Sequence, residues 1–126
     1  MTNQYVFAGF GGQGILFAGK LLAYKGLTED KQVSWLPSYG PEMRGGTASC
    51  SVIISDTPVG SPIVSNPDIL IAMNLPSLDK YEKAVNKGGK IFVDSSFIER
   101  KVERSDVDAY YVPATKMAAE AGVPGV

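Results

Sequence analysis

The stretch that most constrains this chain is Gly9-Phe10-Gly11-Gly12-Gln13-Gly14. A short apolar run at residues 5–8 leads into it, and a longer apolar stretch with helical spacing at residues 15–23 leads out. That order predicts a strand, a tight turn and a helix. Gly9, Gly11 and Gly14 fall on the G-x-G-x-x-G spacing of a dinucleotide- or phosphate-binding turn. The first glycine permits the sharp bend, the second lets backbone approach a ligand with no Cβ in the way, and the third lets the helix lie close to the strand. The helix then turns its free N–H groups and positive dipole end toward the turn, which suits an anion. A tight strand-to-helix turn that binds nothing satisfies the same spacing, so the turn alone does not define a site.

The helix is expected to run from Gln13 or Gly14 to Lys25, with Gly26 as its stop. Ile15, Leu16, Leu22 and Ala23 share a buried stripe, widened by Phe17, Ala18 and Leu21, which implies burial on more than one side. A second strand follows at residues 32–36. In a nicotinamide-binding unit an acidic residue near its end would hold the ribose hydroxyls. Ser34 and Trp35 occupy that region instead, and Glu29 and Asp30 precede the strand. The departure counts against NAD and against a stand-alone NAD-type nucleotide-binding enzyme.

The next stretch, Pro37-Ser38-Tyr39-Gly40-Pro41-Glu42-Met43-Arg44-Gly45-Gly46, reads as a loop from its two prolines and three glycines. In a parallel α/β sheet it leaves the carboxyl end of the second strand, beside the glycine turn, on the edge where ligands bind. It carries a Ser and a Tyr hydroxyl, a carboxylate and a guanidinium. It is read either as part of a site or as a solvated loop with an incidental Glu42–Arg44 pair.

Residues 47–55 alternate apolar and small polar side chains, a strand with one polar face, antiparallel or at an edge. Cys50 lies on its apolar face and reads as a small core residue rather than a reactive thiol. A turn at residues 56–62 leads to a short returning strand at Ile63-Val64. Residues 69–73 are a continuous apolar run of the kind buried on both faces of a parallel sheet. Asn74 caps the following helix, Pro76 sits in its first turn, Leu78, Tyr81, Ala84 and Val85 mark its buried face, and Gly88-Gly89 stop it. Asp79 and Lys83 are spaced i,i+4 on its outer face. Residues 90–93 form a further strand ending at Asp94, read as a cap or turn residue in preference to a ligand contact. The charged residues 99–108 make a solvated connection to a last strand at residues 109–112. A helix over residues 113–121 follows.

Strand and helix alternate, which predicts an α/β fold: a three-layer, Rossmann-like domain whose mostly parallel sheet is interrupted by an antiparallel ribbon near residues 47–64. The length, 126 residues, suits one domain. A domain of this kind that stops just after opening a new unit reads as lacking its C-terminal part. The formal net charge of −1 argues against a nucleic-acid surface. One cysteine and no histidine leave no intramolecular disulfide, no iron–sulfur or zinc site held by this chain alone, and no histidine acid/base chemistry. No stretch reaches the ~18 consecutive apolar residues of a membrane span, and without a basic n-region, and with its apolar run broken by glycines, the N-terminus is not expected to act as a signal peptide. The expected compartment is the cytoplasm, with no membrane association.

The paired motifs at residues 9–14 and 37–46, together with Pro67-Asp68-Ile69-Leu70-Ile71-Ala72-Met73-Asn74 and the Gly88-Gly89 step before Ile91-Phe92-Val93-Asp94-Ser95, resemble the gamma subunit of 2-oxoacid:ferredoxin oxidoreductases. The resemblance covers essentially the whole chain, residues 1–126, as one gamma-type domain. It implies a complex that decarboxylates a 2-oxoacid on thiamine diphosphate with Mg, transfers the acyl group to coenzyme A and sends two electrons through iron–sulfur clusters to ferredoxin. It places those cofactors mainly on other subunits or domains and none on this chain alone, and implies as partners the alpha and beta subunits, in some complexes a ferredoxin-like delta subunit, and ferredoxin. Among members it looks closest to the 2-oxoglutarate or branched-chain 2-oxoacid enzymes, with pyruvate and indolepyruvate enzymes further off. The gamma part is expected to pack against the thiamine-binding parts and to help form the coenzyme A side of the site. On that reading Gly9, Gly11, Gly12, Gln13 and Gly14 present N–H groups to a phosphate or to a partner chain, and Ser38, Tyr39, Glu42 and Arg44 close over the same edge. No catalytic residue and no metal ligand is assigned. A purely structural subunit, whose glycine turn docks a neighbour's backbone, is the remaining alternative.

Overall fold

The computed structural model describes residues 2–10, 15–38, 47–60, 64, 66–96 and 98–113. Six strands, β1 (Thr2–Phe10), β2 (Gln32–Ser38), β3 (Thr47–Ser55), β4 (Ile69–Ala72), β5 (Lys90–Asp94) and β6 (Asp108–Val112), join in one sheet in the order β2-β3-β1-β4-β5-β6. β1, β4, β5 and β6 are parallel, and β3 runs antiparallel to both β1 and β2. β2 therefore points the same way as β1, and only β3 is reversed.

Two helices cover opposite faces, as the side-chain alternation of the strands requires. Val6 and Ala8 of β1, Leu70 and Ala72 of β4, and Ile91 and Val93 of β5 face α2 (Leu75–Tyr81) and pack with Leu78, Val85 and Ile98. Tyr5 and Phe7, on the other face of β1, join Cys50, Val52 and Ile54 of β3 and Val33 of β2 beneath Leu22 and Ala23 of α1 (Ile15–Thr28). The α/β class is as expected, and the sheet is mixed.

Several expectations need correction. β1 is nine residues long, not four, because β3 pairs with it from Thr2 to Phe10, so its polar start is carried by the ladder. Gly26 does not stop α1. It is buried inside the helix, where a Cβ would come within 2.8 Å of Val33 Cγ2. The helix ends two residues past it, and Asp30 takes the left-handed φ of 60° that closes the turn. The buried line of α1 is Gly19, Ala23 and Gly26, whereas Leu21 is 54% exposed. The side chains of Ile15, Leu16 and Phe17 lie outside the described residues.

Pro37 and Ser38 belong to β2 rather than to the loop. β2 is the outer strand of the described sheet, where a proline that lacks an N–H is tolerated. β3 is interior, not an edge, and its polar face is also covered, with Ser49 and Ser55 buried. The ribbon reduces to this one strand among the described residues: Val64 is not in a strand, and Ile63 lies outside them. The helical run after Asn74 closes with a 3₁₀ turn at Glu82–Ala84, ahead of Gly88-Gly89. Gly89 instead serves close approach, since a Cβ there would stand 2.5 Å from Asp68 O and 2.8 Å from Asn86 O. The helix expected at residues 113–121 falls outside the described residues from residue 114 onward.

The connection at residues 99–108 is tied down. Arg100 bonds both Asp79 and Glu82 at 2.8 Å. Arg104 reaches the Glu82 and Val85 carbonyls, and the Val102 N–H donates to Tyr111 Oη at 2.9 Å. No helix among the described residues is long and apolar enough to cross a membrane.

Candidate functional site

β1 ends at Phe10 and α1 begins at Ile15; β2 ends at Ser38 and β3 begins at Thr47. Register fixes how these breaks lie. Phe10 pairs with Thr47, and Ser38 pairs with Ser49. The carboxyl ends of β1 and β2 therefore sit on the same sheet edge, two strand spacings or roughly 10 Å apart, with the start of β3 between them. Gly9 is buried at the end of β1, opposite Ala48. The backbone of Ser38 closes β2. Gly11, Gly12, Gln13, Gly14, Tyr39, Glu42 and Arg44 lie outside the described residues. The structure thus brings together the strand ends that carry both motifs.

The same edge continues across β4 and β5. The Met73 N–H donates to Ala8 O at 2.8 Å, which sets Asn74 level with the last residues of β1. From β1 the chain crosses one face through α1 to β2, and from β4 it crosses the other face through α2 to β5. The crevice between the carboxyl ends of β1 and β4 is therefore the point where the winding reverses, the usual ligand position in open α/β sheets.

Two side chains along that edge were read from sequence as turn formers, and they are. Asp94 is buried at the end of β5, and its Oδ1 accepts the Ser96 N–H at 3.0 Å. Asn74 is 1% exposed, and its Oδ1 accepts the Ser77 N–H at 2.9 Å as the cap of α2. What the sequence did not show is that Asn74 Nδ2 is buried without an acceptor among the described residues. No pattern distinguishes a cap with a satisfied amide from one without.

Electrostatics away from the edge are structural. Burial pushes the Glu82 carboxyl up, but Arg100 and the Glu103 N–H outweigh it and hold the group below its ordinary 4.5. Burial raises the Cys50 thiol to about 11 despite the Trp35 indole hydrogen bond. This sole cysteine is fully buried under α1, where a Cβ on Gly19 would overlap its Sγ. It is therefore unsuited to ligating a cluster. Among the described residues no three His, Cys, Asp or Glu side chains form a metal-binding group.

A six-stranded α/β sheet with one reversed strand beside a glycine turn describes a known class of domain. Residues 4–126 match the profile of the pyruvate ferredoxin/flavodoxin oxidoreductase family, and the chain belongs to that family. It is 46% identical over 115 residues to the ketoisovalerate oxidoreductase subunit VorA of Methanothermobacter marburgensis, covering 91% of this chain and 24% of that protein. It is 38% identical over 122 residues to the 2-oxoglutarate synthase subunit KorC of Methanocaldococcus jannaschii, covering 95% and 65%. Among solved structures it resembles the gamma subunit of the keto/oxoacid ferredoxin oxidoreductase of Geobacter sulfurreducens, with a TM-score of 0.80, 31% identity and 98% and 68% of the two chains covered. The fold alone is shared with the 2-oxoglutarate:ferredoxin oxidoreductase of Magnetococcus marinus, solved with 2-oxoglutarate, coenzyme A and succinyl-CoA, at a TM-score of 0.83 and 22% identity over 96% of this chain and 21% of that one. The chain thus spans from a quarter to two thirds of the length of these curated relatives.

Proposed function

We propose that this chain is the gamma part of a 2-oxoacid:ferredoxin oxidoreductase complex acting on 2-oxoglutarate or a branched-chain 2-oxoacid, and that it helps to form the coenzyme A side of the site and the subunit interface. The family match across residues 4–126 carries the reading, and the relatives named for ketoisovalerate and 2-oxoglutarate support the substrate class. In the reaction the 2-oxoacid carboxylate leaves as carbon dioxide, the acyl carbon forms a thioester with coenzyme A, and two electrons pass to ferredoxin. Thiamine diphosphate, Mg and iron–sulfur clusters are supplied by the alpha, beta and ferredoxin-like delta partners, which accords with the buried thiol of Cys50.

This chain's own contribution is positional. On this reading Gly9 closes β1, paired with Ala48, and Gly11, Gly12, Gln13 and Gly14, which follow it in sequence, would offer backbone N–H groups to a phosphate whose attraction the positive end of α1 increases. Ser38 is the last residue of β2, and Tyr39, Glu42 and Arg44 follow it in sequence, where the guanidinium of Arg44 would grip a phosphate through two parallel bonds. Replacing Arg44 by Ala in the reconstituted complex should raise KM for coenzyme A at least tenfold while leaving the melting temperature unchanged. Unaltered coenzyme A kinetics would remove the loop from the site. An NAD enzyme fits less well than its turn suggests: β3 separates β2 from β1, so the ribose-binding position would stand a strand too far from the turn.

A further inference from the structure

We infer that Asn74 is a ligand-binding residue, whose carboxamide Nδ2 donates a hydrogen bond to an anionic oxygen bound in the crevice between β1 and β4. The inference rests on the reading of the glycine-turn edge as the coenzyme A side of the site. A buried amide N–H without an acceptor is disfavoured, and buried polar groups in native proteins are overwhelmingly paired. Asn74 is 1% exposed, and among the described residues its Nδ2 has no partner. The orientation of the amide is not free. Oδ1 accepts the Ser77 N–H at 2.9 Å, a role only the oxygen can fill, so the atom left over is the donor. The two atoms diverge from Cγ, so this cap turns Nδ2 away from the N–H that it satisfies.

Position supplies the second half. Through the Met73 N–H to Ala8 O bond, Asn74 stands beside the last residues of β1, where that strand passes into the glycine turn. A group with donors only, on the sheet edge from which α1 starts, selects an acceptor, and the dipole of that helix favours one of negative charge. Two sources present that chemistry in the proposed reaction: the phosphates of coenzyme A and the carboxylate of the 2-oxoacid. The neighbouring acid, Asp94, turns its Oδ1 to its own Ser96 N–H.

The test separates the donor from the cap. Asn74→Asp keeps an oxygen for the Ser77 N–H, since Asp caps as well as Asn, but puts a second acceptor where the donor stood. Asn74→Ser also keeps a capping oxygen and deletes Nδ2. In the reconstituted complex both variants should raise one KM by roughly ten- to a hundredfold, the effect of one hydrogen bond to a charged group. Asp should do so more than Ser, with kcat and the melting temperature little changed. A rise in KM for coenzyme A, together with loss of the thermal stabilisation that saturating coenzyme A gives, assigns the phosphate; a rise in KM for the 2-oxoacid assigns the carboxylate. If Asn74→Asp does not fold, Asn74→Ser is read alone. A lower melting temperature with both KM values unmoved makes Asn74 only a cap, perhydrated by an internal water, and overturns the inference. If Arg44→Ala raises KM for coenzyme A while the Asn74 variants do not, the inference fails and the site reading survives. If neither residue moves any KM, both fall.

Discussion

Glu82 shows how one buried charge organises a region. Its carboxylate receives Arg100 at 2.8 Å and the Glu103 N–H at 2.6 Å, fastening the chain after β5 to the end of α2. Because the folded-state pKa lies below the ordinary 4.5, the stabilisation is complete above that value. It is lost as the pH falls from there through the folded-state pKa. Urea melts across pH 2.5–7 (roughly the span over which carboxylates titrate) should show an acid limb for the native protein. Glu82→Gln should lower stability at neutral pH, because it leaves Arg100 short of a charge partner, and should flatten that limb. A limb of unchanged slope would assign the acid sensitivity to other carboxylates. None of this was visible in the sequence, where residues 99–108 look like a plain charged connection; burial of Glu82 decides otherwise, and burial is a tertiary property.

At the scale of elements, the packing of α1 on β3 is set by glycine. Gly19 lies against Cys50, and Gly26 against Val33 and Ile54, so the helix backbone approaches the sheet without intervening Cβ atoms. Gly19→Ala gains up to about 1 kcal/mol of helix propensity. Overpacking costs typically about 1–3 kcal/mol, and the overlap with a buried sulfur cannot be relieved by a flexible tip. The variant should therefore be destabilised by up to about 2 kcal/mol, the difference of those effects. Cys50→Ala removes the sulfur, so in that background Gly19→Ala should cost less than it does alone. A chemical-denaturation double-mutant cycle measures this coupling, and strictly additive losses would show that the two residues do not meet. These glycines explain what the sequence concealed. A glycine after an apolar helical run is the ordinary sign of a stop, and Gly26 has the same appearance while being used for contact. The alternation of β3, by contrast, was legible, because each inward residue from Cys50 to Ile54 is apolar and the period of two survives any context.

Over the whole molecule, the strands were largely legible and their order was not. Local apolar runs announce β4 and β5, but no local signal says that β3 inserts between β1 and β2, since pairings such as Thr2 with Ser55 join residues far apart in the chain. The same is true of the proposed site: its motifs could be read, while the place of Asn74 at its border depends on the register of β1 with β4. The sheet order predicts a gradient of protection in hydrogen exchange. Amides of β1, β3, β4 and β5, paired on both sides, should exchange most slowly, and those of β2 and β6, the outer strands of the described sheet, fastest. Slow exchange at β2 in the isolated chain would mean that the sheet continues past it. The reversed strand has a further consequence. Because Thr47 faces Phe10 and Ser49 faces Ser38, the beginning of β3 is the common abutment of both motif-bearing segments. A slip of β3 by two residues would keep every side chain on its proper face, yet carry it about 7 Å along its neighbours. The distance across which the two segments must cooperate is gauged by one strand, and neither segment could correct it alone.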